Sequence, residues 1–250
     1  MKVNRINCDD VKGSTVDVLF FGDQHLGSKD CDMEEVIKMT SWIKKQKNLK
    51  VIMMGDTINC ALKHSIGAGS FDDNMTPEEQ INCAIDLFGP IADKIVGIHN
   101  GNHGNRMYNE TTISPEKVIA KAIGVPYLGD SCFHHLRIGT QTYILHTAHG
   151  STGSTTVAGA LNSCMKYGVF AQADVYAMGH THNLATYNQV YHEVNKKDKT
   201  LEKRKKVYVL TGGYLKWKGS YAESKGYSPL KIGCAKATFS GKEYDVHIRV

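Results

Sequence analysis

Five short stretches of the sequence carry side chains that bind metal ions or move protons: GDQHLG (22–27), GDTINC (55–60), NGNHGN (100–105), HTAHG (146–150) and GHTHN (179–183). Taken singly they are ordinary, because Asp-x-His after a glycine makes a polar turn and a solitary histidine more often packs than ligates. Taken together they supply seven candidate ligands, Asp23, His25, Asp56, Asn102, His149, His180 and His182. None is a cysteine. Carboxylate, amide oxygen and imidazole in this mixture suit Mn²⁺, Fe, Zn²⁺, Co²⁺ or Ni²⁺ better than a thiolate site or an all-oxygen calcium site would. The set is too large for one tetrahedral ion and fits two ions, about 3.5 to 4 Å apart, that share a bridging carboxylate.

Such a set needs elements that bring distant residues together. Each stretch follows an apolar run short enough to be a buried strand, at 16–21, 50–54, 94–99, 142–145 and 174–178. In α/β sheets, ligands gather beyond the carboxyl ends of strands, so five such ends can converge on one crevice. Helical patterns separate the first three. Segment 33–45 has apolar residues at Val36, Ile37, Met39, Trp42 and Ile43, and Thr76-Pro77-Glu78-Glu79 is a capping box with proline at the first helical position. A further helix is expected from Ser114-Pro115. The order β-α-β-α-β predicts right-handed crossovers and a largely parallel sheet.

The second half is richer in strands. Gly139-Thr140 is the tight turn of a hairpin between 132–138 and 141–145, TTVAGALNSCMKYG (155–168) is helix-compatible, and strand-like segments follow at 185–194, 206–211, 231–239 and 243–250. With no internal repeat and no Pro/Ser-rich linker, the expectation is a single domain, 1–250, of two packed sheets with helices outside.

Composition narrows the setting. At 250 residues, 41% hydrophobic and 22% charged, the chain is an ordinary globular protein with enough apolar content for a large core. No segment reaches the apolar length of a membrane span, and MKVNRINCDDVKG has acids where a signal peptide is apolar, so a cytoplasmic location is expected. Seven scattered cysteines without a C-x-x-C read as reduced packing residues. The net charge of +5 equals the excess in KKDKTLEKRKK (196–206), where Lys196, Lys197, Lys199, Lys203, Arg204, Lys205 and Lys206 face two acids. That segment reads as a solvated hairpin tip, with contact to a phosphate backbone as the alternative. Tyr214, Trp217 and Tyr221 could line a substrate groove, against core or rim packing.

The motifs resemble those of the calcineurin-like metallophosphoesterases: D-x-H at Asp23 and His25, G-D-x-x-N at Gly55, Asp56 and Asn59, G-N-H ending at His103, H-G at His149-Gly150, and G-H-T-H ending at His182. The resemblance spans residues 22–182 and implies a four-layer α/β/β/α sandwich holding a two-metal centre, Mn²⁺ foremost, that hydrolyses phosphoesters. Carried over by position, Asp23, His25 and His182 hold one ion, Asn102, His149 and His180 the other, and Asp56 bridges them. His103 is then the catalytic histidine, either as an acid for the leaving oxygen or as a hydrogen-bonding stabiliser of the phosphoryl group.

The sequence departs from the family's pattern directly after His103, where Gly104 replaces the usual acid. Another acid such as Glu110 or Asp130 could approach from elsewhere, the histidine could work at lower basicity, or some activity could have been lost; retention of all seven ligand positions favours hydrolase activity. His149 is preferred over His146 as ligand because it precedes Gly150, and Arg106 is a candidate phosphate clamp. The functional expectation is a phosphodiesterase acting on nucleic acid or nucleotides through a metal-activated water. A small-molecule phosphomonoesterase and a non-catalytic, metal-containing nucleic-acid-binding module are the alternatives.

Overall fold

In the computed structural model, apolar runs become strands that stop where the polar stretches begin. The structure describes residues 2–8, 11, 14–63, 65, 73–195 and 197–250. Its elements run β1 (Lys2–Ile6), β2 (Thr15–Phe21), α1 (Met33–Lys45), β3 (Leu49–Met53), α2 (Pro77–Phe88), β4 (Ile95–His99), α3 (Asn102–Thr111), α4 (Pro115–Ile123), β5 (Tyr127–Gly129), β6 (Ser131–Ile138) and β7 (Gln141–Ala148). They continue with α5 (Val157–Met165), α6 (Tyr167–Phe170), β8 (Val175–Met178), β9 (Leu184–Val194), β10 (Leu201–Gly213), α7 (Tyr221–Ser224), β11 (Gly233–Ser240) and β12 (Val246–Arg249).

The strands form two sheets. In one, β2, β3, β4 and β5 run parallel, and β11 and then β12 add antiparallel beside β2. In the other, β1 lies parallel to β6, the β6–β7 hairpin is antiparallel, β7, β8 and β10 are parallel, and β9 pairs antiparallel with β10. They are joined where Gly212 and Gly213 of β10 meet Cys234 and Gly233 of β11.

Strand alternation builds the layers. Val16, Val18 and Phe20 of β2 point inward and bury against Leu136, Leu145, Val175 and Val209 of the facing sheet. Leu19 and Phe21 of the same strand point outward, where Val36 and Ile43 of α1, Ala84 and Phe88 of α2 and Ile119 of α4 cover them. On the far side Tyr176, Met178, Tyr208 and Leu210 pack under Ala160 and Cys164 of α5. The result is a four-layer α/β/β/α sandwich. Strands buried on both faces explain the near-continuous apolar runs.

Local chemistry sets the helix starts. Thr76 and Glu79 form the reciprocal capping box of α2 with Pro77 in its first turn. Asp32, Ser114 and Thr156 cap α1, α4 and α5 through their side chains. Among the described residues no helix is long and apolar enough to cross a membrane, and the seven cysteines are free thiols, four of them buried.

β10 is longer than its apolar part because Leu201–Lys206 pairs with β9, so the basic segment forms the outer half of a hairpin. Lys196 lies outside the described residues. Much of the rest is engaged: Arg204 pairs with Glu202 and Glu193, Lys205 donates to the Val246 carbonyl, and Lys206 reaches the Gly168 carbonyl and lies over Tyr191. Lys197 and Lys199 sit at the turn and Lys203 faces His192 across the strands.

Candidate metal centre

The C-terminal ends of β2, β3, β4, β7 and β8 deliver their polar residues to one place. Three donor sets result, with ligand atoms in each within 4.8 Å of one another: Asp23, His25 and His182; Asp56, His149 and His180; and His25, Asp56 and His103. Asn102 Oδ1 completes the second set, 2.9 Å from His149 Nε2 and 2.7 Å from His180 Nδ1. The Asp56 carboxylate lies between the sets, with Oδ2 3.3 Å from His149 Nε2 and 3.8 Å from His25 Nε2. All seven sequence candidates are therefore in the cluster. His146 is not: its ring is buried among Phe133, Tyr167 and Tyr176, and burial holds its pKa down to about 4.

Backbone carbonyls aim several of the rings. His149 Nδ1–H donates to the Met54 carbonyl at 2.9 Å, which turns Nε2 toward Asp56 and Asn102. His180 Nε2–H donates to the Thr152 carbonyl at 3.2 Å, which leaves Nδ1 facing inward. Fixing one ring nitrogen in this way settles which one is free to ligate. The two Nε2 atoms of His25 and His182 face each other at 3.2 Å, an arrangement that needs a proton or a cation between them.

The backbone is strained at these positions. Asp23, His25, Asp56, His180 and His182 all have φ between 46° and 67°, in the left-handed region. For non-glycine residues this costs about 1 to 2 kcal/mol each, and such outliers concentrate at functional sites. Close approach is equally demanding: a Cβ on Gly101 would overlap the Asp56 side chain and backbone. His103 N–H, in the first turn of α3, donates to Asp56 Oδ1 at 2.8 Å and so fixes the central carboxylate.

Burial and mutual charge divide the protons unequally. Burial, reinforced by the charge of Asp56, pushes Asp23 up to about 8. Burial alone would raise Asp56 too, but His149 and His103 outweigh it and hold Asp56 well below the carboxylate range. His149 is the reverse case: burial opposes its charge, yet Asp56 and Asp23 lift it to about 10. Burial lowers His25, His180 and His182, the last to about 4. The neutral rings are in the form that ligates metal, and the His149 proton occupies a place suited to a cation. The donor set thus fits a pair of divalent ions.

Neither acid proposed from the sequence reaches His103. Glu110 is exposed at the far end of α3, and Asp130 accepts a hydrogen bond from Asn100. His103 Nδ1–H instead donates to the Asn59 carbonyl at 2.7 Å, and Arg106 Nη2 lies 3.1 Å from its Nε2. Burial comes first, and Arg106 adds to it, in lowering its pKa. The space left by Gly104 is filled by Glu116 of α4, whose carboxylate occupies the volume a side chain at position 104 would need. Glu116, an acid in the first turn of α4, was not among the acids expected near His103. It is fully buried, and burial raises its pKa to about 8.

A cavity of about 330 Å³ opens beside the centre, bordered by His180, His182, Trp217, Tyr221 and Tyr227 among others. Tyr214, by contrast, is core.

No protein-family profile and no curated protein matches the chain. Solved structures with a similar fold include Vps29 of Chaetomium thermophilum, with TM-score 0.43, 13% identity, and coverage of 93% of this chain and 95% of that one. NAD nucleotidase NadN of Haemophilus influenzae has TM-score 0.42 and 12% identity over 94% of this chain, which spans 49% of NadN. The calcineurin-like phosphoesterase YfkN of Bacillus subtilis has TM-score 0.34 and 10% identity, with 78% and 91% covered. At these identities the likeness is one of fold. The layered sandwich places loops bearing Asp, His and Asn at its strand ends.

Proposed function

We propose that the protein is a metal-dependent phosphoesterase with two divalent ions, Mn²⁺ foremost. The observation that carries this reading is the convergence of two donor sets on Asp56, built on five strained backbone positions. Asp23, His25 and His182 hold one ion, Asn102, His149 and His180 the other, and Asp56 serves both. Bound there, the ions would neutralise phosphoryl oxygens and acidify a water nucleophile.

The chain's own residues do the rest. The carbonyls of Met54 and Thr152 keep His149 and His180 aimed, and His103 N–H holds Asp56 in place. His103 stands neutral with Nε2 facing the centre, so it accepts a proton there before it can give one to a leaving oxygen. Arg106, beside that nitrogen, donates to a phosphoryl oxygen.

A phosphodiester is the substrate class we assign first, with nucleic acid or nucleotides as its source and the hairpin lysines as the contact for a longer strand. The cavity bordered by His180 and His182 favours a second reading, a small phosphomonoester, because its size suits a small molecule.

Metal analysis and a hydrolysis screen test this together. Two equivalents of transition metal and turnover of bis-p-nitrophenyl phosphate with Mn²⁺ are expected. His103→Ala should lower kcat by about 10² to 10⁴ with metal content kept, whereas Asp56→Asn should lose both. Cleavage of p-nitrophenyl phosphate alone selects the monoesterase, and two bound ions with no turnover of any phosphoester leave the binding module.

A further inference from the structure

We infer that the cavity beside the metal centre is a subsite for a nucleobase, so that the phosphoester held at the centre belongs to a single nucleotide unit. The inference rests on the phosphoesterase reading for the place of the phosphate. The cavity adjoins the centre, since His180 and His182 belong to both. A phosphate on the metal side therefore leaves its organic substituent in this space. At about 330 Å³ the space is at the small end of ligand sites, which suits one nucleotide and not a duplex.

The aromatic part of the lining has the chemistry of a stacking platform. Trp217 is fixed by its indole N–H, which donates to the Tyr227 carbonyl at 2.6 Å. Tyr221 and Tyr227 meet edge to face with centroids 6.5 Å apart, yet remain 44% and 42% exposed. Aromatic faces held in place and left open cost little ordering on binding, and a stacked base contributes about 1 to 3 kcal/mol. Thr181 and Asn183 also border the cavity, the first with a buried hydroxyl that has no partner among the described residues.

Tryptophan fluorescence reads this site directly, because the chain has two tryptophans and Trp42 lies on α1, outside the cavity. In a Trp42→Phe protein with Mn²⁺ present, AMP should quench Trp217, and ribose 5-phosphate, followed by displacement of AMP, should bind about tenfold more weakly, as loss of one stacked base implies. Tyr221→Ala, at an exposed position, should bring the two ligands within about threefold of each other. A d(A)4 oligonucleotide separates the sources: equal binding assigns the subsite to a strand end, weaker binding to a free nucleotide. Equal affinities for AMP and ribose 5-phosphate, or an AMP preference that survives Tyr221→Ala, overturn the inference. Hydrolysis of bis-p-nitrophenyl phosphate by the same protein reports separately on the phosphoesterase reading.

Discussion

Glu116 shows how one residue can carry a pH dependence that no ligand explains. Its carboxyl is sealed beneath α3 by Gly104, and neither oxygen has a partner among the other described residues. With a folded-state pKa of about 8 against an ordinary 4.5, the folded protein holds a proton that the unfolded chain has released between those values. Stability therefore falls as pH rises through that window and levels off above it. Glu116→Gln removes the slope. Urea unfolding should find the variant more stable than the parent by about 4 to 5 kcal/mol at pH 8.5 and by far less at pH 5, and parallel pH curves for the two proteins would refute the assignment. The substitution leaves Gly104 its space, so the comparison isolates charge from volume.

At the scale of elements, α3 connects the site to stability. It begins with Asn102 and His103 at the centre and ends at Thr112, an exposed β-branched residue with φ 61°. Glycine is the residue suited to that cap, as Gly124 at the end of α4 illustrates with φ 76°. Thr112→Gly should raise the urea midpoint by the equivalent of about 1 kcal/mol without altering metal content. This helix was illegible in the sequence, because Asn, Gly and Asn fill its first turns and its only fully buried residue is Gly104. β1 was missed for a related reason: Lys2–Ile6 is mostly exposed and its parallel partner lies about 130 residues away in β6. By contrast, β2, β3, β4 and β8 were readable because burial on both faces leaves continuous apolar runs with sharp polar ends. The ligand types were readable for the same reason. What could not be read were tertiary substitutions: Asn59 offering a carbonyl to His103, and Glu116 filling the place of a side chain twelve positions earlier.

For the whole molecule, the two sheets share the centre, since β2, β3 and β4 supply Asp23, His25, Asp56 and Asn102 while β7 and β8 supply His149, His180 and His182. An ion bound by both sheets stabilises their packing by mass action. Mn²⁺ should raise the melting temperature by several degrees at pH 8, with chelator reversing it, and the increment should shrink at pH 5.5, where Asp23, raised by burial to about 8, holds a proton that the ion must displace. An increment unchanged with pH would place the ions elsewhere. The basic hairpin tip is set apart from this chemistry: ten residue steps along β9 and β10 put it roughly 30 Å from the strand ends that meet the site. Any polyanion held by both must be at least that long, so neutralising the tip should leave turnover of small substrates unchanged.

The left-handed ligands have a consequence for how this sequence could change over generations. Glycine at Asp23, His25, Asp56, His180 or His182 would relieve the backbone, and at a partly exposed position such as His180 little packing would be lost. In chelator, His180→Gly should unfold at a higher urea concentration than the parent, by about 1 kcal/mol. At Asp23, His25 and Asp56, which are 0%, 1% and 1% exposed, the cavity left by glycine would offset that relief. Each of the five positions carries a side chain that reaches the donor cluster, so backbone strain and ligand chemistry fall on the same residues.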